Sequence, residues 1–202
     1  MVIAGTLGYA EEAGALVRQY EGLAFTDVHK DVLHLFPRVP SRVLDVGAGS
    51  GRDAAALARE GHRVVAVEPT AELRGHGQRL HASAAIVWVD DALPGLSSLA
   101  GSPEFDVILL SAVWMHLDER ERCGAMGRLA ELVTLGGRVV ITLRHGPSSP
   151  GRRMFDVSVE ETVAVAAGVG LTLVHCERRE DVLGRPELTW SSLGFQASCQ
   201  RG

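Results

Sequence analysis

The chain has 202 residues, 46% of them apolar and 22% charged, with a formal net charge of −5. That length suits one domain able to bury a continuous core, and the acidic balance argues against a phosphate-backbone partner, which needs clustered Lys and Arg. No apolar run reaches membrane-spanning length, and the amino-terminal MVIAGTLGYAEEAG lacks the basic-then-apolar order of a signal peptide. Lys30 is the sole lysine, so almost all positive charge is Arg; Cys123, Cys176 and Cys199 show no CxxC spacing. A cytoplasmic, reduced protein with no membrane or nucleic-acid partner is the expectation.

Taken in chain order, residues 9–36 alternate charged and apolar positions and predict one or two helices, after which Pro37 and Pro40 punctuate the approach to the first strand. Five short, nearly continuous apolar runs follow: Arg42–Val46, Arg63–Val67, Ala85–Val89, Phe105–Leu110 and Gly137–Leu143. Such runs fit strands buried on both faces of a parallel sheet. Asp53–Glu60, Ala71–His81 and Glu119–Leu135 between them are compatible with helices, and Gly136-Gly137 is expected to close the last of these. The alternation predicts a doubly wound α/β sheet with helices on both faces and right-handed crossovers. Past a Gly-, Pro-, Ser- and Arg-rich loop, Ser158 and Glu161 form a capping-box pattern for a helix over Val159–Ala167. Leu171–Cys176 and Thr189–Ala197 then read as two last strands, with too few residues between them for a helical crossover, hence an antiparallel pair.

The informative stretch is VLDVGAGSGRDAAALA. An apolar strand ends in Asp45, a loop carries Gly47, Gly49 and Gly51, an Ala-rich helix follows, and the second strand ends at Glu68. Glycines let the chain turn tightly and let a ligand approach the backbone, and an acid some twenty residues on grips ribose hydroxyls. The spacing is D-x-G-x-G-x-G rather than G-x-G-x-x-G, since Arg52 occupies the sixth position. A carboxylate at Asp45 would repel a pyrophosphate but welcome an ammonium group. S-adenosylmethionine carries an ammonium and no phosphate.

On these residues the chain resembles the class I S-adenosylmethionine-dependent methyltransferases, over roughly residues 40–176. The resemblance implies a Rossmann-like, seven-stranded, mostly parallel sheet with an antiparallel C-terminal strand beside the fifth, and S-adenosyl-L-methionine as cofactor. It implies that Asp45, Gly47, Ala48, Gly49 and Gly51 line the methionine part and that Glu68, with Pro69 beside it, binds the ribose. WVDDALP supplies Asp90 and Asp91 for the adenine amino group, the alignment favouring Asp91 with the Ala92 main chain. LLSAVWMHL places Ser111, Ala112 and Val113 along the cofactor. The resemblance also implies one methyltransferase domain over 1–202, in which residues 1–38 form a helical lid and 39–202 the catalytic core. Tyr20 and Phe25 of that lid either cover the cofactor or only seal the core.

The sequence supports a small-molecule acceptor, because no large domain is inserted, and a monomer or homodimer. His116, after the fourth strand, is read either as a general base or as a residue packing the cofactor loop; Trp114 packs on adenine or fills the core. Arg144 and His145 end the fifth strand, with Arg152 and Arg153 in the next loop, forming either an anion clamp or solvated charges. Trp190 is expected in the core, and no metal site is expected. No N/D-P-P-Y or Pro-Cys segment follows strand four, which argues against nucleic-acid base methylation. Two other readings stay open: a non-catalytic S-adenosylmethionine-binding protein, and an aminopropyl-type transferase on the same fold.

Overall fold

The computed structural model describes residues 4–102, 104–149 and 151–198; Cys199 lies outside them. Seven strands form one sheet: β1 (Arg42–Val46), β2 (Arg63–Val67), β3 (Ile86–Val89), β4 (Phe105–Leu110), β5 (Val133–His145), β6 (Leu171–Glu180) and β7 (Thr189–Ala197). Their order is β3-β2-β1-β4-β5-β7-β6. The first five are parallel, and β7 inserts antiparallel between β5 and β6. This is the Rossmann-like methyltransferase architecture that the motif resemblance implied.

The apolar runs are strands because each supplies both faces of the sheet. Leu44, Ile108, Leu110, Val139 and Ile141 face one side, where Ala125, Met126, Leu129 and Ala166 cover them. Val43, Val107, Leu109 and Val140, offset by one residue, face the other, where Phe25, Ala54 and Leu57 pack. The side-chain period of two puts alternate residues in opposite cores. The helices are α1 (Tyr9–Glu21), α2 (Phe25–Val28), α3 (Arg52–Arg59), α4 (Ala71–Leu80), α5 (Glu119–Leu132) and α6 (Val159–Ala167). Ala13 and Val17 of α1 bury against Leu73 of α4, which lays the N-terminal segment over the sheet's carboxyl edge.

Three local expectations need correcting. Gly136-Gly137 does not close α5: the helix stops at Leu132, Val133 is already extended, and the glycines lie within β5. β-Branched Val133 and Thr134 prefer strand, and the register against β4 shifts over that stretch. At α6 only half of the capping box forms, because Ser158 accepts from the Glu161 N–H while the Glu161 carboxylate is taken by Arg122. The complete box belongs to α5, where Asp118 accepts from Glu121 N–H and Glu121 from Asp118 N–H. β6 also runs past Cys176 to Glu180. Cys123 and Cys176 are both free thiols, and no helix among the described residues is long and apolar enough to cross a membrane.

Candidate active site

The strand order reverses direction between β1 and β4, and in open α/β sheets ligands bind beyond the carboxyl ends of the strands at that point. A cavity of about 620 Å³ lies there, walled by the β1, β2, β4 and β5 ends, the N-terminal segment and the β6–β7 turn. That volume matches a small-molecule site.

The β1 end builds one wall from main chain. Gly47, Gly49 and Gly51 all have left-handed backbone, with φ of 70°, 58° and 83°. A Cβ on Gly47 would lie 2.5 Å from Val113, and one on Gly51 2.6 Å from Trp88, so packing alone demands both glycines. Gly49 is different: its nearest neighbour would be the Tyr20 ring at 3.4 Å, across the cavity surface. Gly47 and Ala48 donate to the Val67 carbonyl at 2.8 and 3.0 Å, which ties the loop to β2. Glu68 completes the tie by accepting from Gly49 N–H at 2.8 Å and Thr70 N–H at 2.7 Å. Each of its oxygens keeps a lone pair for a further donor. Burial pushes the Glu68 carboxyl up, against the Thr70 main chain and side chain, the Gly49 N–H and Arg74, which pull it down.

Asp45 sits beneath this loop, 1% exposed. One of its oxygens, Oδ2, has no hydrogen-bond partner among the described residues. Burial and the nearby Asp53 push its carboxyl well above the usual carboxylate range, against Arg52 and the Ala54 N–H. Asp53 behaves oppositely. Burial would raise it, but the His29 ring at 2.9 Å and the Arg52 guanidinium at 2.6 Å outweigh that and hold it low. A buried carboxylate with an unspent oxygen suits an incoming cation; the residues present fit a ligand bearing an ammonium.

Ala48, Pro69, Asp91, Ala92, Ser111, Ala112, Val113 and Tyr20 also line the cavity. Asp91 accepts from Ala92 N–H at 2.7 Å and Ser98 N–H at 2.6 Å, fixing the turn after β3. Burial raises the Tyr20 phenol, so it stays a neutral donor. Asp90 is not part of this wall: its side chain points outward, 67% exposed, and pairs with Arg74 at 2.8 Å. His145 is outside too. It bonds Ser191 at 2.8 Å on the face of β5 opposite Thr142 and Arg144, because consecutive strand residues point to opposite sides.

On the far side stands His116, in a turn at Trp114–His116. Its Nδ1 lies 2.7 Å from the Arg153 carbonyl, which only accepts, so Nδ1 carries the proton. Nε2 of the neutral ring then accepts from the Tyr9 hydroxyl at 2.9 Å. Burial lowers the His116 ring, the Arg153 carbonyl opposes this, and Arg152, Arg144 and Arg153 reinforce it. Arg153 is no anion clamp: it pairs with Asp118 at 2.9 Å and Glu121 at 2.6 Å, and thereby holds the carbonyl that orients His116. Arg152 pairs with Glu12 and lies 3.7 Å over the Tyr9 ring. The Arg144 side chain lines the cavity, and its guanidinium has no hydrogen bond or ion pair among the described residues. Trp114 is fully buried in the core. Trp190, expected there too, packs partly on the core and also lines the cavity, as do Asp181 and Arg185. Nothing local in the sequence marks these last residues; only the pairing register of β7 brings them in. Among the described residues no group of three or more His, Cys, Asp or Glu is placed to hold a metal.

A profile of the methyltransferase domain family matches residues 18–162. The chain belongs to the class I S-adenosylmethionine-dependent methyltransferases. It is 34% identical over 125 residues to an uncharacterized methyltransferase of Mycobacterium tuberculosis, covering 60% of this chain and 61% of that one, so the chain spans about three fifths of that relative's length. It is 36% identical over 166 residues to a protein-L-isoaspartate O-methyltransferase of Roseiflexus castenholzii, covering 74% of this chain and 68% of that one. In fold it is similar to the 1,6-didemethyltoxoflavin-N1-methyltransferase of Burkholderia thailandensis, at TM-score 0.72 and 22% identity over 94% of this chain and 84% of that one. A TehB-like S-adenosylmethionine-dependent methyltransferase of Corynebacterium glutamicum matches at TM-score 0.69 and 20% identity, over 93% and 99% of the two chains.

Proposed function

We propose that this methyltransferase moves the methyl group of S-adenosylmethionine to a small anionic acceptor. One observation carries the reading: a single cavity holds both a buried carboxylate oxygen without a partner, on Asp45, and a guanidinium without a partner, on Arg144. The first suits the cofactor's ammonium and the second an acceptor's negative group. Glu68 would hold the ribose hydroxyls, Asp91 the adenine amino group, and the Gly47–Gly51 loop the methionine portion. When bound, the cofactor supplies a methyl carbon on a sulfonium, whose leaving group is a neutral thioether.

The protein's task is then mainly alignment. Where the acceptor atom is a hydroxyl, its proton passes to the Tyr9 oxygen as the Tyr9 proton moves to Nε2 of His116. That nitrogen is free to receive it because Nδ1 is already protonated and bonded to the Arg153 carbonyl. A lowered histidine stays neutral at physiological pH, which is the state a base needs. Residues 4–21 act as the lid that excludes water from this pair.

Calorimetry tests the reading. S-adenosylmethionine and S-adenosylhomocysteine should bind in the micromolar range, roughly −8 kcal/mol. No heat with either, together with thermal stabilisation by NAD, would sink it. The acceptor panel should include an isoaspartyl peptide, since the Roseiflexus relative is named for L-isoaspartate in protein and that side chain ends in a carboxylate.

A further inference from the structure

We infer that Arg144 and Trp190 form an acceptor subsite that selects a planar aromatic acid, its anionic group on Arg144 and its ring against Trp190. The inference rests on the proposed methyl transfer and names the acceptor class of that same cavity.

Arg144 on β5 stands directly opposite Trp190 on β7, and Trp190 directly opposite Arg179 on β6. Directly paired residues project from the same face of a sheet. A cation–indole–cation row therefore crosses three strands, and all three of its members line the cavity.

The cations of this region differ in what they have left to give. Arg179 is ion-paired with Asp31, at 3.2 Å, and donates to the Val28 carbonyl, although its Nε and Nη1, like Nη1 of Arg152, have no hydrogen-bond partner among the described residues. Arg185 is taken by Asp181 through two bonds of 2.8 Å. Arg152 is taken by Glu12 and the Tyr9 ring. Arg144 alone of these four has neither a hydrogen bond nor an ion pair among the described residues. It is half-buried and feels Arg185 on one side and the carboxylates of Asp181 and Glu187 on the other, yet none of these pairs with it directly, so its guanidinium is open to an anion brought into the cavity.

Trp190 decides what carries that anion. Its only donor, Nε1–H, is spent on Asp181 Oδ1 at 2.8 Å. Asp181 is itself held by Arg185 and by the Leu183 N–H at 3.1 Å. The indole is thus locked by a network within the β6–β7 turn, and it offers a ligand only carbon and π surface. A fixed flat apolar surface beside a free guanidinium matches a ring bearing a negative group, and a preorganised surface loses little entropy on binding. An aliphatic acid would satisfy Arg144 equally but would gain nothing from ring geometry.

The test uses the full chain loaded with S-adenosylhomocysteine and titrated with benzoate, cyclohexanecarboxylate and benzamide. Benzoate should bind roughly 3- to 10-fold more tightly than cyclohexanecarboxylate, the range expected for aromatic pairing beyond area burial. Benzamide, which lacks the charge, should bind at least about tenfold more weakly than benzoate. Trp190→Leu should abolish the preference between the two acids and Trp190→Phe should keep it, while Arg144→Ala should weaken both acids. S-adenosylhomocysteine affinity should be unchanged in all three variants. Equal affinity for the two acids, or a preference that survives Trp190→Leu, overturns the aromatic selection. Benzoate binding indifferent to Arg144→Ala, or no binding of either acid to the loaded protein, overturns the subsite. Failure of S-adenosylhomocysteine to bind the unaltered chain would instead remove the underlying methyl-transfer reading, so the two failures are separable.

Discussion

Along β1 and β2 the cavity wall is main chain, whereas along β5, β7 and β6 it is side chain. In the first region Gly47, Ala48 and Gly49 donate to Val67 and Glu68, and the whole arrangement lies within one strand–loop–helix–strand unit. In the second, together with the N-terminal segment and the turn after β4 that face it, Tyr9 reaches His116 across 107 positions, Arg152 reaches Glu12 across 140, and Arg179 reaches Val28 across 151. Backbone hydrogen bonds are indifferent to most side chains, so the first wall constrains the sequence where a Cβ has no room and at Glu68, whose carboxylate takes the Gly49 and Thr70 N–H groups. The second wall changes with every substitution. On the proposed reading, the first wall holds the cofactor and the second an exchangeable acceptor.

Experiments on the first wall should strike the cofactor alone. Gly49→Val puts a β-branched residue into left-handed backbone at the cavity surface, a conformation costing about 1–2 kcal/mol even for an ordinary residue. S-adenosylhomocysteine binding should drop below detection by calorimetry while far-ultraviolet circular dichroism stays native. Normal binding would mean the loop does not face the cofactor. Next in size is His116→Ala on the second wall, which should lower kcat by about 10²–10⁴ for a hydroxyl acceptor and leave cofactor affinity alone. In the unaltered enzyme the acid limb of that kcat profile should lie below the ordinary histidine value of about 6.5, because burial lowers this ring and activity is lost only once it is protonated. A limb at or above that value would argue against His116 as the base.

Glu68→Ala blurs the boundary between the regions in an instructive way. It removes the proposed ribose acceptor, about 1.5–3 kcal/mol per charge-assisted bond, and also releases the Gly49 and Thr70 N–H groups. Cofactor affinity and the melting temperature of the free protein should both fall; a fall in neither would mean that Glu68 anchors nothing. Arg144→Ala should raise the KM of an anionic acceptor by roughly 10- to 100-fold, as for one lost charge-assisted bond, without moving S-adenosylhomocysteine affinity. A change in the cofactor term instead would place Arg144 on the wrong wall. The smallest effect is on protons. Burial holds the Asp45 carboxyl high, and pairing with an ammonium favours its charged form. Cofactor binding should therefore release protons and tighten as pH rises, measured by calorimetry in buffers of different ionisation enthalpy. Asp45→Asn should abolish that release.

The first wall was legible in the sequence because its cause is local. Asp45, the glycines and Glu68 sit at the ends of apolar runs whose burial on both faces fixes them as adjacent parallel strands, so spacing along the chain translates directly into position. Two glycines proved to be required by Val113 and Trp88 as much as by any ligand, and no spacing rule separates those demands. Asp90 and Asp91 are neighbours with similar credentials in the sequence; only the turn after β3 sends one into the cavity and the other out to Arg74. His145 fell outside for the same kind of reason, since a pleat turns consecutive residues to opposite faces.

The sequence by itself determined the parallel strands, the helices between most of them and the glycine loop at the end of β1, because hydrophobic period and glycine placement act over a few residues. The tertiary structure decided the side-chain wall. Whether Arg144, Arg152 and Arg153 are free or spent depends on Glu12, Asp118 and Glu121, which the fold brings from distant helices. Trp190 faces the cavity because β7 runs antiparallel in one particular register against β5, and a shift of one residue would have turned it away.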